Sequence, residues 1–176
     1  IEIEKQLKDY INDIYLIVNY NNFITVDMSP TYNFKNYVNQ PDNISNSLVN
    51  IKNNLIKDMT NYDLTHMMIN KFIVDRKYYH SMPSHDDYKD IFFELRFIFL
   101  QNDIKKNLKS IFSKYQILIK KILCYEYVNT FNSPKKDNIF NLAYKLSNGF
   151  NEKEFLFINK SLKNKGFFEK FFSLFN

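Results

Sequence analysis

Apolar side chains recur at three- and four-residue steps through nearly every segment of this chain. That spacing constrains the fold more than any other feature. Leu7, Ile11, Ile14 and Val18 set such a stripe across residues 3–19. Leu48, Ile51, Leu55 and Met59 set another, opened by Asp42 or Asn43 as cap, and Leu64, Met67, Met68, Phe72 and Tyr79 a third, opened by Asn61. Residues 83–131 keep the spacing longest, from Tyr88 through Leu95, Phe99, Leu108 and Tyr115 to Tyr125. They predict one long helix, or two joined near Asn102, where Asp103 can cap the second.

Three short helices follow in residues 135–176. One runs to Ser147 and stops at Gly149. The next starts at Asn151, with Glu154 in capping-box spacing, and stops at Gly166. The last covers residues 167–175. Residues 23–28 alternate weakly and allow at most one extended stretch, and Ser29-Pro30 opens at most a short helix. The expectation is an all-α fold. It is a single domain of six to eight helices packed around the long central helix or helix pair.

Composition bears on origin and on what the chain can do. Roughly 100 of the 176 residues are Phe, Tyr, Met, Ile, Asn or Lys. Ala143 stands alone as alanine, and Arg76 and Arg96 are the arginines. The favoured residues have A/T-rich codons, which points to an AT-rich genome, protist or organellar. With 2 glycines, no glycine-rich phosphate loop can be built, so a nucleotide-dependent enzyme is not expected. Cys124 sits in an apolar run and reads as a small buried hydrophobe.

His80, His85, Asp86 and Asp87 form the one metal-like cluster, but the spacing matches no zinc pattern and no metal is expected there. His66 reads as a partly buried structural residue. In a helix, Glu94 and Arg96 would lie on different faces, with Glu94 partly solvated. No run is long enough to span a membrane, and a membrane surface is not an expected partner. The chain begins at Ile1, so an N-terminal piece is expected to be missing, and any targeting segment would be lost with it. Organellar and secreted locations both stay open.

The charge is unevenly placed. Residues 1–88 carry 8 Lys/Arg against 11 Asp/Glu, and residues 89–176 carry 16 against 8, giving −3 and +8. Lys105, Lys109, Lys120, Lys121, Lys135 and Lys136 are the candidate contacts for RNA or another anionic partner. Phe168, Phe171, Phe172 and Phe175 share one face of the last segment, which either closes the core or serves as the candidate protein interface. Together these features point to a non-enzymatic helical structural or interaction subunit of a larger protein assembly, with a protein partner and no cofactor. Two alternatives stand beside it. One is an RNA-contacting protein of organellar ribosomal type. The other is a secreted parasite protein that binds a protein partner.

Overall fold

The computed structural model describes residues 2–21, 23–33, 41–79, 90–132, 138–151 and 153–156. In chain order their elements are α1 (Glu2–Leu7), β1 (Asp13–Val18), β2 (Ile24–Met28), β3 (Thr31–Asn33), α2 (Pro41–Asp58) and β4 (Tyr62–Val74). Then come β5 (Lys77–Tyr79), β6 (Asp90–Gln101), α3 (Asn102–Ser113), β7 (Leu118–Cys124), α4 (Tyr125–Thr130) and α5 (Ile139–Ser147).

The fold is mixed α/β, not all-α, and two sheets stand where a helical bundle was expected. The third stripe is β4 and β5, and the first is α1 followed by β1. The long central segment is, over its described part, strand, helix, strand and helix. Pro41, at the first helical position of α2, marks that helix better than the expected caps do. Ser29-Pro30 links two strands. The expected helices within residues 157–176 lie outside the described residues. No helix among the described residues is long and apolar enough to cross a membrane.

A period of two explains the correction. In β6 the odd positions Ile91, Phe93, Leu95, Phe97 and Phe99 are buried, while Phe92, Glu94 and Arg96 are half-buried. A half-covered antiparallel strand shows this alternation. The strands run in the order β2-β6-β4-β5, all antiparallel, and β3 also pairs with β6. Glu94 and Arg96 share the outer face. Each meets an opposite charge directly across the ladder: Glu94 with Lys71 at 3.0 Å, and Arg96 with both oxygens of Asp27 at 2.8 Å. The guanidinium holds the Asp27 carboxyl below the usual carboxylate range.

The sheet separates two apolar layers. On one side Leu48, Ile51, Leu55 and Met59 of the α2 segment pack on Met67, Ile69, Phe72 and the odd residues of β6. The register shifts between Leu64 and His66 and again between Ile69 and Lys71. These bulges keep both Leu64 and Phe72 on the α2 side. On the other side Met68 and Ile98 meet Leu123, Cys124, Tyr127, Val128, Leu142, Ala143 and Leu146. Strands β1 and β7 form a separate parallel pair in this second layer, beside α4 and α5.

The turn from α3 into β7 sets the positions of the lysines on either side of it. Ile117 N–H donates to the Phe112 carbonyl at 3.1 Å and Gln116 N–H to Ser113 at 3.0 Å, the Schellman pattern of helix ends. Gln116 takes the left-handed position at φ 60°, which normally falls to glycine. Gln116→Gly should therefore stabilise the fold by about 1 kcal/mol. Urea unfolding should show the midpoint rising with an unchanged slope, and a lower midpoint would contradict this account of the turn.

Candidate functional site

Helix α3 carries Lys105 and Lys109 four residues apart, so one face presents both. No residue of α3 is fully buried. Its half-buried Ile104, Leu108 and Phe112 seat it on the protein while its lysines stay near water. Strand β7 carries Lys120 and Lys121 in succession. A regular strand would send them to opposite faces. The parallel pairing skips here, with Ile14 opposite Ile119 and Tyr15 opposite Lys121, so Lys120 is the extra residue of a bulge.

All four lysines line one cleft of about 210 Å³. Leu64, Leu100, Ile119, Ile122 and Leu156 supply its apolar lining, and Asp63 and Thr65 complete it. Among the described lining residues four lysines stand against one aspartate, a positive excess before their acidic partners are counted.

The lysines differ in how they are held. Lys105 Nζ lies 2.5 Å from Asp63 Oδ1, and Lys120 Nζ lies 2.7 Å from Asp13 Oδ2. The bond to Asp13 raises the Lys120 pKa. Lys121 donates to the carbonyl of Ser147 at the end of α5. Burial lowers its pKa, and the nearby Glu154 carboxylate opposes that shift. Lys109 is exposed and makes no ion pair among the described residues.

Beneath the cleft lies a buried polar cluster that the local spacing did not reveal. Residues 153–155 lie along β4, where Ile69 N–H donates to Lys153 and Phe155 N–H to Met67. Glu154 thereby forms a bridge with Met68, not the capping box expected from its distance to Asn151. Asn151 instead accepts from Lys153 N–H through its side chain. Glu154 Oε1 accepts from Met67 N–H at 3.0 Å and Leu156 N–H at 3.2 Å, and Oε2 lies 3.2 Å from His66 Nδ1.

His66 is fully buried, not partly as expected, and its Nε2 accepts from Cys124 N–H at 3.0 Å. An accepting Nε2 leaves the proton on Nδ1, which donates to Glu154. The Tyr127 ring lies over the imidazole at a centroid distance of 4.1 Å. Burial, then the Glu154 carboxylate, push its phenol well above the ordinary range.

Side chains of this kind also serve acid–base chemistry, but both His66 and Glu154 have 0 % exposed side chains. The Cys124 thiol is buried too, and that burial raises its pKa, so it is a poor nucleophile at neutral pH. The hydrogen bonds of the cluster tie β4 to residues 154–156 and to the end of β7.

Among the described residues no group of His, Cys, Asp or Glu could hold a metal ion. His80, His85, Asp86, Asp87, Lys135, Lys136, Phe168, Phe171, Phe172 and Phe175 lie outside the described residues. Of the candidate anion contacts, the fold thus brings together Lys105, Lys109, Lys120 and Lys121.

Glu154→Ala would strand the Met67, Leu156 and His66 donors in an apolar interior. A loss of about 3–5 kcal/mol is expected, read as a large drop in the urea midpoint. A loss below about 1 kcal/mol would show that the tie is dispensable. No protein-family model and no curated protein sequence matches this chain.

Proposed function

We propose that the protein is a non-catalytic subunit that holds the phosphate backbone of RNA in the cleft between α3 and β7. One observation carries this reading. Lys105, Lys109, Lys120 and Lys121 come from two elements joined by a turn and meet on the same cleft. Lysine ammonium groups neutralise phosphates as point charges, and the released counterions drive binding. Among the described residues no aromatic ring and no arginine lines the cleft. The described lining therefore offers neither a stacking platform for bases nor a planar fork for bidentate contacts, and binding through it reads charge and spacing more than sequence. The non-catalytic part of the proposal is supported by the burial of His66 and Glu154, whose polar atoms serve the fold.

The test is binding of a labelled single-stranded RNA across a salt series. About three phosphate contacts would give a slope of log affinity against log salt near −2, at roughly −0.7 per contact. Lys105→Gln with Lys109→Gln should flatten the slope to about −0.7 and weaken binding to all sequences alike. Unchanged binding by the double variant would exclude the cleft.

A protein partner has its own support on α5. Phe140 and Tyr144 lie four residues apart and are 70 % and 61 % exposed, and Tyr15 meets Tyr144 edge-on at 5.9 Å. A face of this kind suits a second contact within an assembly. Phe140→Ser should leave stability within about 0.5 kcal/mol and release the protein from the assembly with which it co-sediments. Retention in that assembly would count against this face.

A further inference from the structure

The cleft lysines are already occupied in part, and their occupants are carboxylates. Asp63 lines the cleft and sits on Lys105, with side chains 36 % and 28 % exposed. Asp13 sits on Lys120, at 39 % and 46 %. We propose that Asp63 and Asp13 are internal competitors for phosphate, each holding a cleft lysine until an RNA phosphate displaces it, so that they set the affinity of the cleft. This inference rests on the RNA-binding reading above.

The arrangement supplies each step of such an exchange. Lys109 makes no ion pair among the described residues and lies one helical turn from Lys105, so it meets the incoming phosphate first. Half-exposed Lys–Asp pairs are weakly held, since water and salt replace each partner at little cost. A phosphodiester shares one negative charge over two non-bridging oxygens, which can bridge Lys109 and Lys105 together. Once Lys105 turns to the phosphate, Asp63 is left beside a second anion. Its carboxylate then both withholds the lysine and opposes the ligand, which keeps affinity moderate. Lys121 takes no part, because its ammonium group donates to the Ser147 carbonyl at the end of α5. Lys120 repeats the Lys105 arrangement on the opposite wall, with Asp13 supplied by β1.

The experiment measures binding of labelled single-stranded RNA to the full chain at one fixed salt of about 0.15 M, where the screening length is about 8 Å. Asp63→Asn keeps the shape of the side chain and should tighten binding about 3- to 5-fold. In the Lys105→Gln background the same change should give less than about half that gain, because the lysine it would free is gone. Asp13→Asn, tested with Lys120→Gln, should follow the same pattern. Asp27→Asn is the control. It makes the same change in net charge, but Asp27 pairs with Arg96, about 13 Å along the strand from Leu100 at the cleft, beyond one screening length.

Equal tightening by Asp27→Asn would reduce the effect to net charge and overturn the proposal. So would a gain that persists without Lys105, which means plain repulsion, or no gain at all. If wild-type binding depends on the lysines but ignores Asp63 and Asp13, only this inference fails. If wild-type protein binds no RNA at this salt, the functional reading and this inference fail together.

Discussion

One carboxylate joins the layers of this fold. Glu154 accepts from the backbone of β4 at Met67, from its own segment at Leu156, and from the imidazole of His66. His66 in turn accepts from Cys124 at the end of β7. A fully buried carboxylate costs several kcal/mol unless charge-assisted hydrogen bonds replace its water. Here they do, and no buried side-chain nitrogen or oxygen among the described residues lacks a partner. The reward is specificity of position. Apolar contacts between Met68, Ile98 and the residues of α4 and α5 tolerate sliding, whereas a His ring with both nitrogens engaged does not.

The elements that were legible in the sequence are those in which only one period fits. In α2 the stripe of Leu48, Ile51 and Leu55 is separated by Asn and Lys, and no period of two survives that spacing. The helix α5 was legible for the same reason, and Gly149 at φ 85° ends it as expected. In β4 and β6 apolar residues fill 8 of 13 and 8 of 12 positions, often on both faces, so three- and four-residue steps can be found in a strand. The charges were the discriminating signal. Glu94 and Arg96 stand two apart between buried odd positions, and their partners Lys71 and Asp27 are far away in sequence but directly opposite in the sheet.

The buried tie was beyond local reading altogether. His66 and Glu154 are 88 residues apart, and the spacing of Glu154 from Asn151 imitates a capping box. The cleft falls between these cases. Its lysines were recognisable as an excess of charge, but a continuous helix would have strung them along one axis. The turn at Gln116 and the bulge at Lys120 fold that axis back on itself and set α3 beside β7. Because cleft lysines carry acidic partners from β1 and β4, a count of positive residues overstates the charge available to a ligand.

Lys121 connects the two systems. Its stem lines the cleft, while its ammonium group lies against the Ser147 carbonyl at the C-terminal end of α5, where the helix dipole favours a cation. The Glu154 carboxylate acts on it from the core side. The Glu154 attraction opposes the burial that lowers the Lys121 pKa without cancelling it. Lys121 is thereby a fixed charge, set by the core and not free to follow a ligand. The exposed lysines on the rim respond to salt and to neighbouring carboxylates, but the field from Lys121 does not move with them. In this cleft the Lys121 ammonium is thus turned toward the core and held at the end of α5, while Lys109 and Lys120 stay exposed.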